Sequence, residues 1–165
     1  MIVLGIDPGI SLTGWGVIDA KSQNNLSVLN YGCITTLPKD SLTDRLKYIN
    51  LELQSVIDKY RPEAAAIEQL FFLKKSASVA SVGQARGAIV LTVALNKIPL
   101  FEYNPRLVKI ALTGYGSADK YQMQHMVKTF LRLKEIPKPD DAADALAMAI
   151  CHINTAKSEV KMIRR

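Results

Sequence analysis

Sulfur and imidazole are scarce in this chain. Of its 165 residues only two are cysteine and two are histidine. Cys33 and Cys151 lie far apart in apolar contexts. That excludes a disulfide scaffold and leads us to expect two buried, reduced thiols in a cytoplasmic protein. His125 and His152 show no metal-ligand spacing with them, so no zinc site is expected. No apolar run approaches the roughly 18 residues of a membrane helix. The opening MIVLGIDPG has no basic stretch ahead of its apolar one, so no signal peptide is expected. Repeats, low-complexity tracts and internal linkers are also missing. At roughly 150 residues per domain this leaves one domain, read as residues 1–157 followed by a basic tail over 158–165. Hydrophobic residues make up 48% and charged residues 22%, an ordinary globular balance that excludes a disordered chain.

Acidic residues are under-represented in one half only. Residues 1–82 hold eight basic and eight acidic side chains, whereas 83–165 hold 13 basic and seven acidic, so the whole net charge of +6 lies in the second half. A basic half points to a polyanionic partner such as nucleic acid. The end of the chain, where Lys157, Lys161, Arg164 and Arg165 stand against Glu159, accounts for +3 of it.

Hydrophobic patterning predicts an α/β layer fold. The run Ile2–Asp7 reads as a buried central strand closed by a carboxylate, and Trp15–Ile18 and Ser27–Thr35 read as two further strands of an antiparallel meander. Ser41 reads as the cap of a helix with apolar residues from Leu42 to Ile57, ended by Arg61-Pro62. Ala64–Glu68 reads as a fourth strand, buried on both faces and parallel to the first. A helix over 76–96, a strand over Ile98–Tyr103 and a helix opened by Asn104-Pro105 follow. A helix capped by Ser117 then runs to about Leu133, and a last helix is capped by Asp140. The order βββαβαβ followed by helices is that of a mixed sheet flanked by helices.

Four acids stand out by position. Asp7 ends the first strand and Glu68 the fourth. If those strands are parallel neighbours, both carboxylates emerge at the sheet edge where open α/β sheets bind ligands. Asp141 and Asp144, three apart, share a face in the first turn of the last helix. Each alone reads as a cap or turn residue. Together they repel strongly unless cations compensate them. Hard divalent ions on oxygen ligands do so, and Mg²⁺ fits, with Mn²⁺ as a substitute. Two such ions form the clamp for in-line displacement at phosphorus.

The segments GIDPGISLTGWGVI (5–18), AIEQLFF (66–72), SVGQARG (81–87), TGYGSADKYQMQHMV (113–127) and DDAADALAMAI (140–150) occur in order over nearly the whole chain. With them the chain resembles the RuvC family of crossover junction endodeoxyribonucleases, within the ribonuclease-H-like superfamily. The resemblance implies a five-stranded mixed sheet, three antiparallel strands then two parallel. It implies metal-dependent, symmetric resolution of four-way (Holliday) DNA junctions by a homodimer, leaving 5′-phosphate ends. The family's four catalytic, metal-binding acids fall on Asp7, Glu68, Asp141 and Asp144. Asp140 adjoins them, but only Asp141 has the three-residue spacing to Asp144. The family's basic residues after the fifth strand fall on Lys109 and Lys120, both implied DNA contacts, with Lys120 also catalytic. Phe71 has the offset of the aromatic associated with the junction's exchange point, and Lys74 and Lys75 stand close enough in sequence to meet phosphates. The resemblance also implies the RuvA–RuvB branch-migration complex as a partner.

The helix over 76–96 is rich in small residues, among them Ala77, Ala80, Ser81, Gly83, Ala85, Gly87 and Ala88. Interior glycine costs about 1 kcal/mol relative to alanine, which close approach of another helix explains, internally or across the implied dimer. Two other function classes share the opening motif or the acids. An actin-like-superfamily phosphotransferase needs a second Asp-x-Gly, and none follows residue 9. A non-catalytic junction-binding protein needs a decayed site, and all four acids are present. A related nuclease acting on structured RNA would share the fold.

Overall fold

A computed structural model of the protein describes residues 1–22, 25–69 and 77–163. The chain runs β1 (Ile2–Asp7), β2 (Leu12–Ser22), β3 (Asn25–Thr35), α1 (Leu42–Tyr60), β4 (Ala64–Glu68), α2 (Ala77–Leu95), β5 (Leu100–Tyr103), α3 (Pro105–Thr113), α4 (Lys120–Phe130) and α5 (Asp140–Ile163). The five strands form one sheet in the order β3-β2-β1-β4-β5. The first three pair antiparallel, whereas β1–β4 and β4–β5 are parallel. This is the mixed sheet expected from the sequence.

Strand parity divides the core into two layers. Leu4, Ile6, Ala65 and Ile67 point to one face, where Ile49, Leu53 and Ile57 of α1 and Ala85, Ile89 and Val93 of α2 cover them. Val3 and Ala66 point to the other, against Val108 of α3, Val127 of α4 and Leu146, Ile150 and Ile153 of α5. Burying each Leu, Ile or Val side chain contributes about 1.5–3 kcal/mol, so both faces are well anchored. Because side chains alternate along a strand, Asp7 must follow Val3 onto the α5 face, and Glu68 must follow Ala66. The parallel register pairs Ile6 with Ile67, so the next residue of each strand, Asp7 and Glu68, emerges side by side.

The seat of α5 is written in glycine. A methyl group on Gly5 would overlap the carbonyl oxygen of Ala145, and one on Gly14 would overlap that of Asp141. At Gly16 it would come within 2.5 Å of Leu146 Cδ2. Gly5 pairs with Gly16 and Asp7 with Gly14 across β1 and β2. The helix answers with its own small residues, Ala142, Ala145 and Ala149, all buried. Main chain therefore rests on main chain, and the first turn of α5 is set down directly beside Asp7.

Four boundaries differ from the sequence expectation. Helix α4 is capped by Asp119, not Ser117: Asp119 Oδ1 accepts from Gln122 N at 2.8 Å, and Gln122 Oε1 accepts from Asp119 N at 2.9 Å. This reciprocal capping box is closed to Ser117, whose third following residue is Lys120, a donor only. Lys120 thus becomes the first residue of α4. β5 starts at Leu100 because Pro99 has no N–H for the ladder, although its carbonyl still accepts from Ala65 N at 2.9 Å. α5 begins at Asp140 and continues through Ile163, so its helical backbone includes most of the segment read as a tail. β2 is longer than its apolar centre, spanning Leu12–Ser22. Among the described residues no helix is long and apolar enough to cross a membrane.

Candidate active site

The loop between β1 and β2 is braced before any chemistry begins. Thr13 Oγ1 donates to Gly9 O at 2.6 Å and Thr36 Oγ1 to Ile10 O at 2.5 Å. Arg45 of α1 reaches over, its Nε donating to Thr36 Oγ1 at 2.8 Å and its guanidinium to Ser11 Oγ at 2.9 Å. These bonds hold the segment that leaves Asp7, so the carboxylate projects from a fixed strand end.

A cleft of about 280 Å³ opens at the carboxyl ends of β1 and β4, bounded by α3, α4 and α5. Asp7, Glu68, Asp144, Lys109 and Lys120 line it, and Val108, Met123 and Met148 form its apolar wall. Five sequence-selected residues from five elements therefore meet in one concavity. Asp141 stands at its margin, near enough to Asp7 to repel it, and beside Cys33. Phe71, Lys74 and Lys75 lie outside the described residues.

The electrostatics are those of crowded anions. Burial, then repulsion from Asp144, Glu68 and Asp141, pushes the Asp7 carboxyl up to about 7, with Lys120 opposing. Burial and Asp144 raise Glu68. Burial also raises Asp144, against the pull of Lys120. Lys120 is the local counter-charge: its Nζ lies 3.3 Å from Asp140 Oδ2 and 3.4 Å from Asp144 Oδ2. Desolvation works against its charge, but Asp144 and its bonds to both carboxylates raise its pKa overall. Among the described residues no group of three or more His, Cys, Asp or Glu side chains is drawn together closely enough to hold a metal ion as they stand.

The donor set is nevertheless specific in chemistry. It consists of anionic oxygens, with Lys120 the ammonium paired to them and Lys109 also on the wall. An isolated buried carboxylate is expensive and either protonates or pairs with a cation. Oxygen-only anionic donors suit a hard divalent ion such as Mg²⁺ or Mn²⁺.

Two features escaped the sequence reading. Asp140, taken as a cap, instead pairs with Lys120, which holds its carboxyl below the usual range. Its four-residue spacing to Asp144 was the available signal, since that spacing puts both carboxylates on one face. Cys33 is half-buried, not enclosed, because β3 is an edge strand. Its thiol is pushed up to about 11 by burial and by Asp141.

Fold and site together define a ribonuclease-H-like nuclease domain: acids on two parallel strand ends and a facing helix, in a cleft supplied with lysines. The family model for crossover junction endodeoxyribonuclease RuvC matches residues 3–152. A crossover junction endodeoxyribonuclease RuvC from Endomicrobium trichonymphae is 71% identical over 155 residues, covering 94% of this chain and 82% of the relative. One from Caldicellulosiruptor saccharolyticus is 51% identical, covering 96% and 95%. A solved structure of T. thermophilus RuvC in complex with a Holliday junction substrate superposes with a TM-score of 0.91 at 36% identity, covering 96% of each chain. The chain belongs to the RuvC family of crossover junction endodeoxyribonucleases.

Proposed function

We propose that this enzyme resolves four-way DNA junctions by symmetric, divalent-metal-dependent phosphodiester hydrolysis in recombination and repair, leaving 5′-phosphate and 3′-hydroxyl ends. One observation carries the reading. Asp7 is held among three other acids at a strand end, raised to about 7, in a cleft whose remaining polar lining is lysine. Such a cluster spends stability on anionic charge that a bound cation would offset.

Asp7, Glu68, Asp141 and Asp144 would hold the ions. Asp7 and Glu68 are fixed by the β1–β4 register and the other two by the seat of α5. When bound, one or two Mg²⁺ ions, with Mn²⁺ as a substitute, supply charge that activates water and stabilises the leaving oxygen. The protein's own groups do the rest. Lys120, at the start of α4, presents a mobile point charge to the scissile phosphate as negative charge builds there. Lys109, on α3, contacts the adjoining backbone. Val108, Met123 and Met148 keep bulk water from one wall, which strengthens each of these interactions.

Phe71, three residues after Glu68, is assigned to stack on an unpaired base at the crossover, an interaction of about 1–3 kcal/mol. Lys74 and Lys75 are assigned to nearby phosphates. Two cuts placed by a two-fold axis require two copies of the site, so the active form is a homodimer. In support, α2 leaves Leu91 57% and Leu95 70% exposed, more than solvent favours on one helix. Single-domain organisation over 1–157, a cytoplasmic location and the RuvA–RuvB complex as a partner complete the reading.

The test is cleavage of a synthetic mobile four-way junction by the purified protein. Symmetric nicks in Mg²⁺, none in EDTA, and loss of cleavage in Asp7→Asn are expected. Full cleavage by Asp7→Asn would reject the assignment.

A further inference from the structure

Asp140 adjoins the acids assigned to the metals but is engaged differently. Its Oδ2 lies 3.3 Å from Lys120 Nζ, while Asp144 Oδ2 lies 3.4 Å from the same nitrogen. Lys120 thus spans two carboxylates on successive turns of α5. Asp144 lines the cleft with Asp7 and Glu68, and Asp140 does not. The acids that repel Asp7 are Asp144, Glu68 and Asp141. Asp140 is 53% exposed. Gln124, one turn after Lys120 on the same helix, also acts on this carboxyl and helps Lys120 hold its pKa down. Helix α4 therefore meets this carboxylate through Lys120.

We propose that Asp140 is a positioning residue for Lys120, holding the ammonium at the mouth of the cleft once Asp144 has given its oxygens to a divalent cation. The inference rests on the metal-dependent nuclease reading of the cleft. A cation on Asp144 repels the neighbouring ammonium and competes for the same lone pairs. Without a second acceptor, the four-carbon lysine stem regains its rotamers and leaves the cleft. Asp140 supplies that acceptor from outside the cation's position, and an ammonium with three donors keeps others free for a phosphate. An exposed pair of this kind adds little to folding stability. Its effect therefore falls on where Nζ sits when the phosphate arrives, a matter of orientation.

The test is a double-mutant cycle on the full-length protein, using Asp140→Asn, Lys120→Gln and the pair. Two quantities are read: Mn²⁺ affinity by electron paramagnetic resonance without DNA, and single-turnover junction cleavage in saturating Mg²⁺. For Asp140→Asn we expect Mn²⁺ affinity within about twofold of the parent and cleavage about fivefold slower, the low end of coupling between contacting residues. In the Lys120→Gln background the same substitution should cost nothing further, and Asp140→Glu should restore part of the rate. A loss of Mn²⁺ affinity beyond about fivefold would overturn the proposal by making Asp140 a metal ligand. So would an equal rate penalty in both backgrounds, or no penalty in either. Absence of Mg²⁺-dependent cleavage by the parent protein would instead remove the functional reading beneath it.

Discussion

Replacing Asp7 by asparagine should abolish cleavage yet stabilise the metal-free protein. The folded state holds the Asp7 carboxyl at about 7 against an ordinary 3.8. At 1.36 kcal/mol for each tenfold change in proton affinity, the ionised form costs the fold up to about 4 kcal/mol. Some contact with water screens that cost, so about 2–4 kcal/mol is expected. The sign follows from proton counting. Between pH 4 and 7 the folded state holds a proton that the unfolded chain has released, so the Asp7 contribution destabilises progressively as pH rises. It is constant above about 7. The difference between Asp7→Asn and the parent should therefore be near zero at pH 4 and reach about 2–4 kcal/mol in favour of the variant at pH 8. Urea denaturation in EDTA at the two pH values measures it directly. Adding MgCl2 should narrow the gap, because a ligand at 100 times its dissociation constant adds about 2.7 kcal/mol to the form that binds it. A variant less stable than the parent at pH 8, or a gap independent of pH, would refute the reasoning.

Gly14→Ala should lower the melting temperature and slow cleavage, because its methyl meets the Asp141 carbonyl and lifts the first turn of α5. Overpacking of this kind costs about 1–3 kcal/mol, and differential scanning calorimetry with a cleavage assay reads both effects. Asp119→Ala removes one half of the capping box of α4. It should cost about 1 kcal/mol of stability and slow cleavage as Lys120 loses its fixed backbone, checked by chemical denaturation and single-turnover kinetics. Junction binding in Ca²⁺ should weaken steeply with added salt, and Lys109→Ala should reduce the slope of log affinity against log salt by about one. Fluorescence anisotropy would show this, and an unchanged slope would remove Lys109 from the DNA contacts.

Much of this site could be read before any coordinates. An apolar run closed by an acid, twice, marks two buried strands ending in carboxylates. Period-two alternation then obliges Asp7 and Glu68 to share a face. The spacing of Asp141 and Asp144 made the same statement for a helix. Contacts decided by competition between near-equivalent residues were harder to see. Ser117 and Asp119 are both good helix caps, and only the partner three residues on distinguishes them. That choice decides where α4 begins and so where Lys120 stands, which left the spacing of Asp140 to Asp144 as the one signal for their shared lysine. Cys33 was misjudged for a related reason. Its apolar neighbours in sequence say nothing about whether its strand lies in the middle of the sheet or at its border.

The glycine seam under α5 fixes how the two halves of the acid cluster can err. Side chains meeting side chains can absorb a mismatch by changing rotamer, but peptide planes in van der Waals contact have no such freedom. A catalytic constellation tolerates roughly half an ångström of displacement, less than the bulk of one added methyl. The interval between strand-borne and helix-borne oxygens is thus governed by atomic radii alone. It should repeat from molecule to molecule, and vary little with heating until the helix departs altogether.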